Sequence, residues 1–231
     1  MATMKQARQW RGPALFSYGF RPFFLFSGVY AALAIAVWTL WLDGAAIMPA
    51  GFPPVAWHAH ELLFGYAIAA VAGFLLTAVP NWTGRLPVVG LPLLALFGLW
   101  ALGRLAMALG AFLPPVALAL LTLAFPVALA VLIAREVLAG RNVRNVKVVI
   151  VLAALCLAQL CFHVEVARTG ASVFSERLAI AAYLLLVMIV GGRIVPSFTT
   201  NWIKRENPGR LPVPFGSFDK VAMMVGGLAL A

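Results

Sequence analysis

Six apolar runs, at about residues 23–42, 57–79, 88–109, 115–133, 146–166 and 178–195, are each long enough to cross the hydrocarbon of a bilayer as a helix. No water reaches backbone groups there, so only helices and closed barrels span it, and these runs are continuous where barrel strands would alternate in polarity. The chain therefore reads as an all-α polytopic transmembrane helix bundle. Composition agrees: 64% of residues are hydrophobic and 10% charged, with a mean hydropathy of +1.00, against about 45–50% and about 25% in soluble domains. A seventh run, 221–231, has about half the length a span needs. We expect six full spans plus a truncated seventh in one transmembrane domain over residues 1–231, the N-terminal part of a longer bundle.

The net charge of +10 suits nucleic acid only if the basic residues share a soluble face, and they do not. Lys5, Arg8, Arg11 and Arg21 precede the first span. Arg135, Arg141, Arg144 and Lys147 lie between the fourth and fifth, and Lys204, Arg205, Arg210 and Lys220 follow the sixth. The alternate connections are poorer, with Arg168 and Arg177 between spans five and six. Arg85, in the turn between spans two and three, lies on the richer side. The positive-inside bias puts the N-terminus in the cytoplasm. The surplus is a topology signal with some lipid contact, and nucleic acid is excluded. The first run is too long for a signal-peptide core and is read as a retained span.

With that orientation all three histidines fall on the outer side. His58 and His60 open the second span in Trp57-His58-Ala59-His60-Glu61, and His163 lies near the outer end of the fifth. Ionisable groups at membrane depth are functional candidates because hydrocarbon makes them costly. Cys156, Gln159 and His163 fall at i, i+3 and i+7 and form one stripe, expected to face the bundle. His58 and Glu61 share another face, continued by the small residues Gly65, Ala69 and Ala72. On a regular helix His58 and His60 point about 200° apart. Either one of them is a ligand, or the helix begins after them. Glu61 or Glu165 is placed to fix an imidazole tautomer, and Arg104 either snorkels outward or pairs with Glu61, Glu165 or a haem propionate. Cys156 and Cys161 read as buried free thiols.

The stretches Trp57-His58-Ala59-His60-Glu61-Leu62-Leu63-Phe64-Gly65 and Ala72-Gly73-Phe74-Leu75-Leu76-Thr77-Ala78-Val79-Pro80-Asn81-Trp82-Thr83-Gly84 resemble the NnrS family. So do Phe20-Arg21-Pro22-Phe23-Phe24 and Gly191-Gly192-Arg193-Ile194-Val195-Pro196 with Phe198-Thr199. The resemblance covers about residues 16 to 203 and implies a bacterial inner-membrane protein of about a dozen spans. Haem and copper are its implied cofactors, nitric oxide its implied small-molecule ligand, and nitric-oxide stress or denitrification its implied setting. His58 and His60 are the ligand candidates it carries over, and His163 joins them from our topology; Glu61 and Gln159 are expected to support the ligands and Arg104 to pair with an anion. Ligands contributed by the second half of such a bundle would lie outside this chain. The resemblance assigns no reaction, since haem serves electron transfer, gas binding and catalysis alike.

At the cytoplasmic ends, Pro80-Asn81-Trp82 with Arg85 and Arg193-Pro196-Asn201-Trp202 close parallel spans two and six. Gly84-Arg85-Leu86-Pro87-Val88 is echoed by Gly209-Arg210-Leu211-Pro212-Val213. This is either a weak parallel repeat or a pair of helix stops with interfacial aromatics. Arg193, inside an apolar run, needs a carboxylate, a carbonyl or an anion. Pro49, Pro53 and Pro54 make the first connection an irregular outer loop. The alternative reading is a proton- or ion-coupled transporter without haem, relaying through Glu61, His60, Arg104 and Gln159; a third is a packing protein. Hydrolase triads, Walker loops and dinucleotide fingerprints are absent, and His60-Glu61 lacks the second histidine of a zincin.

Overall fold

Each apolar run becomes a helix, and most of these helices outrun their runs at polar ends. In the computed structural model, which describes residues 10–45, 50–206, 209–213 and 216–230, the spans are α1 (Phe20–Leu42), α2 (Pro54–Thr83), α3 (Leu91–Ala108), α4 (Pro115–Ala139), α5 (Val146–Thr169) and α6 (Val173–Glu206). Lys5, Arg8 and Pro49 lie outside the described residues. A shorter helix, α7 (Ser217–Leu230), follows, and at 14 residues it falls below span length. No strand occurs among the described residues. Backbone hydrogen bonding does not stop where side chains turn polar. So α6, expected over 178–195, begins at Val173, carries Glu176 and Arg177 in its first turns, and runs through Asn201-Trp202 to Lys204 and Arg205. Asn201-Trp202 is therefore no helix stop, whereas Asn81-Trp82 stands one residue before the end of α2.

Local chemistry marks the boundaries. α2, α3 and α4 carry Pro in their first turn, where its missing N–H is one of the unpaired donors anyway. α2 ends at Gly84, whose φ of +70° closes the last turn through its N–H to the Pro80 carbonyl.

The spans run alternately up and down, and α2 is the hub. It packs on α1, α3, α4, α5 and α6. Within its most apolar stretch 56% of residues are buried, against 17% in α1. Ala69, Ala72 and Gly73 are buried there, and such small side chains let neighbouring backbones approach where no hydrophobic effect drives helices together. The bundle has two unlike ends. One carries the histidines, and the other carries Arg85, Arg135, Arg144 and Arg193.

Candidate functional site

Pro53 caps α2 and Pro54 is its first residue, so His58 and His60 are both fully helical and diverge. His58 leans on α1, stacked on Trp38 with ring centroids 3.8 Å apart and planes 15° apart. Its Nδ1 is buried without a hydrogen-bond partner. His60 points the other way and is fully buried.

Around His60 every span contributes a polar side chain. On the same helix, Glu61 accepts from His60 Nδ1 at 2.7 Å. From α3, Arg104 Nη1 lies 2.6 Å from both Glu61 oxygens. From α1, the Tyr30 hydroxyl also donates to Glu61. From α5, Gln159 Nε2 approaches His60 Nε2 at 3.3 Å, and the His163 ring lies 5.3 Å from the His60 ring. From α4, Thr122 Oγ1 is 2.8 Å from His163 Nε2. From α6, Tyr183 donates to the Leu63 carbonyl at 2.6 Å.

The backbone beneath the cluster is wound as a π-helix over Glu61–Ala67. Such wide turns loosen the i→i−4 ladder and recur at functional sites. Two carbonyls in this stretch take side-chain donors from other spans: Leu63 takes Tyr183, and Gly65 takes Trp100 Nε1 at 2.9 Å. Gly65 is required by closeness, since a Cβ there would stand 2.6 Å from Arg104 Nη1.

Hydrogen bonding fixes the tautomers. A carboxylate only accepts, so His60 carries its proton on Nδ1 and keeps a lone pair on Nε2. The Thr122 hydroxyl already donates toward the carbonyls of Leu118 and Ala119 at 3.0 and 3.1 Å. His163 therefore donates from Nε2 and keeps its lone pair on Nδ1. Two neighbouring imidazoles are thus oriented, His60 through Nδ1 to Glu61 with the Gln159 amide on its Nε2 lone pair, and His163 through Nε2 to Thr122, and partners of this kind orient histidine ligands. Gln159 Oε1 is buried beside them with no partner.

Of the expected site residues, His60, His163, Glu61, Gln159 and Arg104 come together, and His58 stands apart on Trp38. Arg104 does not snorkel. It is nearly buried in the ion pair with Glu61. Glu165 fixes no imidazole; its oxygens accept the backbone N–H groups of Phe174 and Ser175 at 3.0 Å and cap the start of α6. Cys156 and Cys161 are free thiols, half-buried. Several participants escaped the sequence reading, Tyr183 and Trp100 among them. Tyr30 and Thr122 had a signal, each carrying a hydroxyl within an apolar span that must find a partner. Phe52, in the loop before α2, had none; it lies over both histidine rings at 5.8 and 5.2 Å.

Among the described residues no three of His, Cys, Asp and Glu converge to hold a metal ion. The donors at hand are two imidazoles and an amide oxygen, a set suited to one small ion. A porphyrin does not fit there. The rings of Phe52, Phe64, Phe162 and His163 stand 5.3 to 5.8 Å from that of His60 and fill the space a macrocycle needs.

A family model described as NnrS protein matches residues 14–231. No curated protein and no solved structure matches the chain.

Proposed function

The chain belongs to the NnrS family, and from that premise we propose that it serves the bacterial nitric-oxide response as an inner-membrane protein holding a copper ion at His60 and His163. The observation that carries this reading is the pair of buried imidazoles, one tied to Glu61 and the other to Thr122, with the orphaned Gln159 oxygen beside them. Imidazole nitrogens suit copper, and bound copper supplies a one-electron centre to which nitric oxide can bind. The residues around it hold the imidazoles in one tautomer, balance charge through Glu61 and Arg104, and keep water out with Phe52, Phe64 and Phe162. Haem, the other cofactor the resemblance implies, does not fit beside His60, where the rings of Phe52, Phe64 and Phe162 leave it no room. The basic surplus at the far end supports an outward-facing histidine end.

The test is metal analysis with oxidised and reduced absorption spectra on detergent-purified protein and its His58→Ala, His60→Ala and His163→Ala variants. We expect copper in the wild type and in His58→Ala, and its loss in the other two. A Soret band that vanishes with His58→Ala, or a copper content indifferent to His60 and His163, would overturn the assignment.

One observation favours a second reading, proton transfer coupled to transport. Tyr30, Glu61, His60 and Gln159 form one continuous hydrogen-bonded line. That reading predicts a colourless, metal-free protein in which Glu61→Gln abolishes proton flux in vesicles.

A further inference from the structure

At the end of the bundle away from the histidines, a cavity of about 1080 Å³ opens between α2, α5, α6 and α7. Arg144, Lys147, Arg193 and Lys220 line it, and among the described residues no Asp or Glu does. The hydrogen-bond partners of Arg193 are neutral: Nη1 donates to Asn145 Oδ1 at 2.5 Å and Nη2 to the Arg144 carbonyl at 3.0 Å. These bonds aim the guanidinium without neutralising it. Arg144, Arg193 and Lys220 share one recess at a membrane edge, where the dielectric is below that of water, and their like charges repel one another until an anion enters.

A second recess of about 530 Å³ adjoins the first. Phe20, Phe24, Phe74 and Phe198 line it, and Trp82, Arg193 and Ser197 belong to both. Phe24 and Phe198 are largely exposed on the outside of the spans, where acyl chains lie. The basic recess exceeds what a bare phosphate ion fills, being at the upper end of the roughly 300–1,000 Å³ typical of organic ligands. A basic chamber continuous with an aromatic groove matches a molecule with a phosphate at one end and hydrocarbon at the other.

We propose that the two recesses form a binding site for one anionic phospholipid, its headgroup phosphate among Arg144, Lys147, Arg193 and Lys220 and an acyl chain along the phenylalanines. The site is independent of the metal reading, because it shares no residue with the histidine cluster. Basic pockets between spans hold lipid phosphates by the same electrostatics that draw polybasic segments to anionic leaflets.

The experiment incorporates the protein into vesicles of phosphatidylethanolamine and phosphatidylglycerol in equal parts, re-extracts it in mild detergent, and counts retained lipid by native mass spectrometry. We expect the wild type to keep phosphatidylglycerol in preference to phosphatidylethanolamine. In Arg144→Gln/Lys220→Gln that preference should fall roughly thirtyfold, at about fivefold for each basic residue. Both side chains are exposed, so an unchanged melting temperature should accompany the loss. Phe198→Ala should reduce retention of both lipids while leaving the preference intact. A wild type without preference, or a double variant that keeps it, would overturn the site. Displacement of the lipid by inorganic phosphate would show that the basic recess reads phosphate alone, and would overturn the role given to the aromatic groove.

Discussion

Separating Glu61 from Arg104 is the sharpest perturbation the structure offers. Glu61 is fully buried and Arg104 nearly so, both carboxylate oxygens lie 2.6 Å from Arg104 Nη1, and Tyr30 and His60 donate to the same carboxylate. Glu61→Gln leaves the guanidinium without a counter-charge and turns an amide N–H toward donors. Arg104→Met leaves the carboxylate buried without its cation. Removing one member of a buried pair costs about 3–5 kcal/mol, whereas removing both charges together is far cheaper. In Glu61→Gln/Arg104→Met the Gln carbonyl still accepts from Tyr30 or His60, and the methionine fills the space of the arginine stem. We therefore expect each single variant to lose about 3–5 kcal/mol, and the double variant only about 1–2 kcal/mol. Reversible denaturant unfolding in detergent, followed by tryptophan fluorescence, measures all three, and Trp100 reports on the site directly through its bond to the Gly65 carbonyl. Single losses that simply add in the double variant, or singles within about 1 kcal/mol of wild type, would refute the argument that the pair is coupled and dry.

Three further outcomes are expected. Gly65→Ala should drive a methyl group into Arg104 and the Tyr30 ring, costing about 1–3 kcal/mol in the same unfolding assay. Glu165→Ala should remove the cap on α6 and cost about 1–2 kcal/mol, while metal analysis shows the same content as wild type. Thr122→Val should free His163 Nε2 from its orienting hydroxyl and weaken copper retention about tenfold or more in competition with a chelator, with little change in melting temperature.

How much of the site was legible depended on whether a residue's role was set along one helix or between helices. The stripe of Cys156, Gln159 and His163 follows from helical periodicity, and the structure buries Gln159 and His163 but leaves Cys156 half-buried. The divergence of His58 and His60 likewise follows from 100° per residue, once Pro53 and Pro54 start the helix ahead of them. Which of the two faces inward did not follow, because both faces of α2 meet other spans and only the packing of α1 places Trp38 against His58. For Glu61 and Glu165 the sequence offered equal candidates. The turn between α5 and α6 takes Glu165 as a backbone cap, and the approach of α3 to Gly65 gives Glu61 to Arg104.

The sequence by itself determined what depends on transfer from water to hydrocarbon and on local backbone chemistry. This comprises six spanning helices, the proline starts of α2, α3 and α4 and the glycine ends of α2, α4 and α5, the family, and the segregation of basic residues to alternate connections. Tertiary structure alone decided what depends on rotation and depth of one helix against another. It set the π-helical winding of Glu61–Ala67, the meeting of His60 with His163 from helices a hundred residues apart, and the junction of a basic chamber with an aromatic groove at Arg193. Hydrophobicity orders a membrane chain along the bilayer normal. It says almost nothing about azimuth, because lipid is as apolar as the neighbouring helix, and azimuth is fixed only when small residues and buried polar pairs select one packing.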